Sequence, residues 1–171
     1  IHHQGILEEA CFFEPEAISS EHILRCHSSD YWNRLKSLQI SEKEMKKVGF
    51  PLSQALLDRE LDITGGTFQL AQWALKNACG LNIAGGTHHA FSDHGEGYCL
   101  LNDHAIAIRA LQQLSLIKRA LIVDLDVHQG NGTAQIFQND QSVFTFSMHG
   151  ARNYPTRKEK SDLDLALDCG T

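Results

Sequence analysis

Hydrophobic and polar positions alternate along the chain with two periods, one helical and one extended. Residues 14 to 38 carry two short apolar patterns of helical period, with Ser20 the expected N-cap of the first and Ser29 or Asp30 that of the second. Residues 41 to 48, Ser-Glu-Lys-Glu-Met-Lys-Lys-Val, form a charged amphipathic stretch that Gly49 and Pro51 terminate, its charges mostly a solvated face. Helical patterns follow near 53–62 and 66–78, and then a short apolar run, Leu81-Asn82-Ile83-Ala84, predicts a buried strand opening into Gly85-Gly86-Thr87-His88-His89.

Between residues 102 and 117, Ala105, Ile106, Ile108, Leu111, Leu114 and Ile117 recur near a 3.6-residue period, with Asn102 or Asp103 as cap. Residues 120–127 are almost continuously apolar up to Asp124 and Asp126, the pattern of a strand buried on both faces. A short helical piece at 133–138 and a strand over 142–147 come next, and residues 165–171 have the pattern of a strand entering a turn. Strand, helix, strand, helix, strand predicts an α/β fold with a parallel sheet and helices on both faces.

Composition agrees with a packed core: 42% of the 171 residues are apolar and 21% charged. The net charge of −6 and scattered Lys and Arg, apart from the run Arg157 to Lys160, argue against direct nucleic-acid binding. No apolar run nears the roughly 20 residues that span a bilayer, so no membrane association is expected. Five cysteines without paired metal-ligand spacing, and no signal peptide, fit a reducing cytoplasm. The start, Ile1-His2-His3-Gln4, is not a usual translation start, and both ends are expected to be cut.

Ligands of open parallel sheets collect beyond the carboxyl ends of the strands. All three central strand ends carry metal-capable or titratable groups: His88 and His89, then Asp124, Asp126 and His128, then His149. Asp126 and His128 are two apart, so on extended backbone both leave the same face, as two ligands of one zinc or iron(II) ion must. Asp124 lies on that face one step deeper, placed to orient a histidine. Gly130 and Gly132 flank Asn131 in an expected tight turn, and the adjacent histidines suit acid–base work. Taken alone, such a histidine pair is more often a surface accident than a catalytic dyad, and Asp-Leu-Asp at a strand end is as readily capping and turn chemistry. His2, His3, His22, His27, His94 and His104 are expected to be structural or solvent-exposed.

The segments Gly85 to Ala90, Gly97 to Asp103 and Val123 to Gly132 resemble, in order and spacing, the three signature stretches of the histone deacetylase and acetoin-utilisation family; the Gln129-Gly130-Asn131 turn is most similar to class IV and bacterial members. The resemblance runs from about Phe13 to the C-terminus. It implies a three-layer αβα fold with a mostly parallel sheet of the arginase/deacetylase type, present here as the N-terminal and central part of one deacetylase domain spanning residues 1–171. It further implies that Asp126 and His128 bind zinc, that His88 and His89 activate water and protonate the leaving amine, and that Asp124 pairs with His88. Gly97 and Tyr98 would line an acyl-lysine channel opposite Tyr154. A monovalent cation, K⁺, would sit near Asp124, Asp126, His128, Ser147 and Met148, mainly on backbone carbonyls. The implied activity is hydrolysis of an N-acyl amide on a lysine peptide or an acetylpolyamine.

Two departures qualify the resemblance. Asn131 stands where many relatives have an aspartate behind the second histidine, and a neutral amide cannot stabilise an imidazolium by charge. The third zinc-binding aspartate and the tyrosine that polarises the substrate carbonyl are expected beyond Thr171, so this chain alone should bind zinc weakly and catalyse poorly. Two alternatives stay open. One is a two-metal ureohydrolase of the arginase or agmatinase type, which would need an aspartate where Gly130 stands; the other is a non-catalytic acyl-binding remnant.

Overall fold

Five helices begin on a short polar residue whose side chain accepts a hydrogen bond from an N–H that the first turn leaves unpaired. The computed structural model describes residues 4, 5 and 8–170. In it Ser19 caps α1 (Ser20–Ile23), Ser28 caps α2 (Ser29–Lys36), Ser41 caps α3 (Glu42–Val48), Ser53 caps α4 (Gln54–Asn77) and Asn102 caps α5 (Asp103–Gln113). The first two caps fall one residue before those expected, because Ser19-Ser20 and Ser28-Ser29 are each pairs in which either hydroxyl could serve. At α3 the Glu44 carboxylate returns the bond to the Ser41 N–H, closing a capping box, and Gly49 at φ +89° ends the helix.

The two helical patterns expected over 53–62 and 66–78 form one 24-residue helix, α4. Gly65 and Gly66 do not break it. They admit a close neighbour: a Cβ on Gly65 would lie 1.8 Å from the Glu16 carbonyl oxygen, and the incoming strand of chain is tied down where the Ile18 N–H donates to the Leu61 carbonyl.

The expected strand at 81–84 does not form. Leu81 and Ile83 are 73% and 74% exposed, and no described strand pairs with them. Asn82 instead folds the segment into a turn, its amide donating to the Ile63 carbonyl and the Thr67 hydroxyl on α4.

The sheet consists of β1 (Ala120–Asp124), β2 (Val143–Gly150) and β3 (Leu163–Leu167), in that order and parallel throughout, with α6 (Asn131–Phe137) crossing between the first two. Val143, Thr145, Ser147 and His149 alternate inward. Toward α5 and α6 the sheet packs Ala120, Ile122 and Val143 against Ala105 and Phe137. A second apolar cluster joins α1 to α5 around Ile23, Tyr31, Leu35, Leu57 and Ile106. The opposite face of the sheet, with Leu121, Val123, Phe144, Leu163 and Leu165, is exposed. Strand β1 is therefore partly buried on one face and exposed on the other among the described residues, although its sequence is apolar on both. No helix among the described residues is long and apolar enough to cross a membrane.

Candidate active site

The loop that carries the two histidines is held from three sides. Asp103, fully buried at the start of α5, accepts hydrogen bonds from the Gly86 and Thr87 N–H groups and from the Thr87 and Thr67 hydroxyls. Burial alone would raise its carboxyl pKa, but the His104 charge and these donors hold it below the ordinary carboxylate range. On the second side the Asn102 amide donates to the Ala90 carbonyl and the Thr133 hydroxyl. On the third, the Thr133 N–H at α6 donates to the His88 carbonyl. Behind Asn102 stands His27, 2% exposed, whose Nε2 accepts the Asn102 N–H at 3.0 Å.

Thus fixed, His88 and His89 place their ring centroids 4.1 Å apart. Nδ1 of His88 lies 2.6 Å from Asp124 Oδ2, and Nδ1 of His89 lies 2.7 Å from Asn131 Oδ1. Burial would raise the Asp124 carboxyl; the bond and charge of His88 and the Asp126 N–H hold it low. His89, 4% exposed, is pushed down to about 4, chiefly by burial and then by the neighbouring His88 charge, with Asn131 opposing weakly.

Close packing, not turn geometry, explains the glycines at 130 and 132. A Cβ at Gly130 would lie 2.3 Å from Asp124 Oδ2 and 3.2 Å from His88 Nδ1, and one at Gly132 would lie 2.3 Å from the Ala90 carbonyl oxygen. Gly130, at φ −70° and ψ 68°, is the centre of a three-residue turn closed by the Asn131 N–H donating to the Gln129 carbonyl at 2.8 Å, and Asn131 and Gly132 continue from it as the first turn of α6.

Beyond β1 the backbone bends. The Asp126 N–H donates to Asp124 Oδ1, and the His128 N–H donates to Asp126 Oδ1 at 2.7 Å. This pair of side-chain-to-backbone turns, rather than extended backbone, turns Asp126 and His128 to one side, with His128 Nδ1 3.1 Å from Asp126 Oδ1. Two ligands of a tetrahedral zinc, each at about 2.0–2.1 Å, sit roughly 3.3 Å apart, so this donor pair fits one such ion. Among the described residues no group of three His, Cys, Asp or Glu is placed to hold a metal. The His128 ring lies 6.0 Å from His89, centroid to centroid, so both potential ligands border the histidine pair. A cavity of about 220 Å³ opens beside His88, lined in part by His104, Asp124 and Asp126.

Gly97 and Tyr98, with φ of +52° and +67°, form the two-residue turn between Glu96 and Cys99, whose backbones exchange hydrogen bonds. Their N–H groups donate to the Lys47 and Val48 carbonyls left free at the end of α3. Gly97 lets aromatic rings meet: a Cβ there would lie 2.6 Å from His89 Cδ2 and 3.1 Å from Tyr154 Cε1. Tyr154 stands edge-on to His89 at 4.9 Å and to His128 at 6.0 Å. Tyr98 turns outward and packs on Phe50 at 5.0 Å. Of the residues the family likeness places near a monovalent cation, Asp124 and Ser147 are register partners, with Met148 next in β2. His149 does not join the cluster; its Nδ1 meets the Ser147 hydroxyl at 2.9 Å.

Hydrophobic patterning did not single out Glu96. Its Oε2 accepts from the Asn131 amide at 3.0 Å and from the Tyr154 hydroxyl at 3.1 Å, with Lys47 Nζ 3.7 Å from Oε1. An acidic residue between two glycines in a loop was its only local signal. The linking roles of His27 and Thr133 were equally hidden, because they act through backbone groups distant in sequence.

Known proteins resemble this chain in sequence and in fold. Residues 1–166 match the Histone deacetylase domain family. The chain is 45% identical over 166 residues to an uncharacterized protein of Picosynechococcus sp., covering 97% of this chain and 55% of that protein. It is 33% identical to Histone deacetylase 2 of Arabidopsis thaliana, covering 88% of this chain and 41% of that protein. A crystal structure of an HDAC homolog from Aquifex aeolicus superposes with a TM-score of 0.81 at 26% identity, over 96% of this chain and 50% of that one. An HDAC homolog complexed with SAHA gives 0.80, also at 26% identity, over 96% of this chain and 49% of that one. The chain spans about half the length of these relatives.

Proposed function

Because the chain belongs to the histone deacetylase family, we propose that it supplies part of the active site of a zinc-dependent amide hydrolase that removes an acetyl or longer acyl group from lysine or a polyamine. The observation that carries this reading is the gathering of His88, His89, Asp126 and His128 at the carboxyl end of β1.

In this reading Asp126 and His128 are two metal ligands, for Zn²⁺ or alternatively Fe²⁺, and the third comes from outside the described residues. The ion, when bound, polarises the acyl carbonyl and lowers the pKa of a bound water to about 7. His89, neutral and with Nδ1 facing an amide oxygen, keeps the Nε2 lone pair free to take a proton. His88 is held through Nδ1 by the Asp124 carboxylate, which orients its Nε2 to pass a proton to the leaving amine. Gly97, Tyr98 and Tyr154 wall the approach for a narrow acyl chain. Backbone carbonyls of Asp124, Asp126, His128, Ser147 and Met148 are assigned to a structural K⁺. The two-metal ureohydrolase alternative is disfavoured because the space beside Gly130 is filled by Asp124 and His88.

The test uses the complete protein with an acetyl-lysine peptide and an acetylated polyamine. Hydrolysis should disappear on chelation and return with Zn²⁺. Undiminished turnover by metal-free protein overturns the reading.

A further inference from the structure

Asn131 stands where many family members have an aspartate, so an amide replaces a charge behind His89. The structure supplies the missing carboxylate one step further out. Asn131 donates through Nδ2 to Glu96 Oε2 at 3.0 Å while its Oδ1 lies 2.7 Å from His89 Nδ1. Asn131 and His89 are both buried, so the bond between them is shielded from solvent.

An amide by itself can face a histidine with either end. A carboxylate removes that freedom. Glu96 is ringed by donors, the Asn131 amide and Tyr154 hydroxyl on Oε2 and Lys47 Nζ near Oε1, and so acts as the acceptor. The NH₂ of Asn131 must then face Glu96, its oxygen must face His89, and His89 must carry its proton on Nδ1. The same carboxylate holds Tyr154, whose ring stands edge-on to His89.

We propose that Glu96 is a positioning residue that fixes the tautomer of His89 through Asn131, leaving Nε2 as the proton acceptor. The turn geometry serves this role: positive φ at Gly97 and Tyr98 and anchoring to the end of α3 set Glu96 rigidly behind Asn131. The catalytic consequence rests on the hydrolase reading above, but the tautomer does not.

The experiment compares the complete protein with its Glu96→Leu and Glu96→Gln variants. The ¹⁵N NMR signals of His89 are read without metal or substrate, and kcat and KM for an acetyl-lysine peptide are read with zinc. The expected wild-type spectrum is a single Nδ1-protonated ring. Glu96→Leu should give a mixture of tautomers and lower kcat roughly tenfold with little change in KM, the scale of one lost orienting hydrogen bond. Glu96→Gln, which can still accept from Asn131, should restore most of both. Tyr154→Phe, which removes only the other bond to Glu96, should leave the tautomer unchanged. A single Nδ1-protonated His89 in Glu96→Leu overturns the proposal whatever the kinetics. The expected spectra without hydrolysis in any form support the relay and count against the hydrolase reading instead.

Discussion

Lowering the pH should destabilise this protein through His27, a residue remote from the reacting centre. Its Nε2 accepts the Asn102 N–H at 3.0 Å, and only an unprotonated Nε2 can accept. Burial lowers its pKa from 6.5 to about 4, with the Phe91 and Ser92 backbone and the Asp93 charge opposing. The folded state thus binds fewer protons than the unfolded state between those two values. The stabilisation is complete above pH 6.5 and is lost as the pH falls toward 4. The interval from 6.5 to about 4, at 1.36 kcal/mol per pH unit, makes it about 3 kcal/mol, a large part of an ordinary domain's stability. Urea denaturation from pH 7.5 to 4.5 measures it. The variant His27→Gln, which keeps an acceptor near the Asn102 N–H but cannot titrate, should lose about 1.4 kcal/mol per pH unit of the wild-type slope inside the window. Equal slopes in the two proteins would refute the assignment of a buried neutral His27.

Gly65→Ala places a methyl 1.8 Å from the Glu16 carbonyl oxygen and should destabilise by about 1–3 kcal/mol, read as a lower denaturation midpoint, with the backbone of residues 16–18 displaced. Gly130→Ala drives a methyl between Asp124 and His88; loss of their charge-assisted bond should cost about 1.5–3 kcal/mol, a roughly 10- to 100-fold fall in kcat/KM for an acetyl-lysine peptide. Asn131→Asp sets a second carboxylate about 3 Å from Glu96, where the pair shares a proton, so the acidic limb of the pH–rate profile should stay nearly in place. Adding Glu96→Gln frees that charge to act on His89 and should move the limb upward.

Helices were the more legible part of the fold, because caps and apolar period are local signals. The pattern over 102–117 and its Asn102 cap correspond to α5, which stops earlier, at Gln113. Local signals misplace what long-range packing decides. Gly65-Gly66 has the pattern of a break, yet α4 runs through it because the N-terminal segment needs the space. Leu81 to Ala84 has a strand's composition but no strand beside it among the described residues. The expected strand at 142–147 extends to Gly150 as β2, through polar residues that periodicity discounts. At the candidate site, motif likeness anticipated the neighbours Asp124 and His88, whereas Glu96 lies 35 residues from Asn131 and 58 from Tyr154. No periodic pattern carries that distance.

The metal content of the complete protein tests the central claim most directly. The donor pair Asp126 and His128 should hold about one zinc per chain, and Asp126→Ala and His128→Ala should each lose it while His88→Ala retains it. Full zinc occupancy after both ligand substitutions would contradict the account.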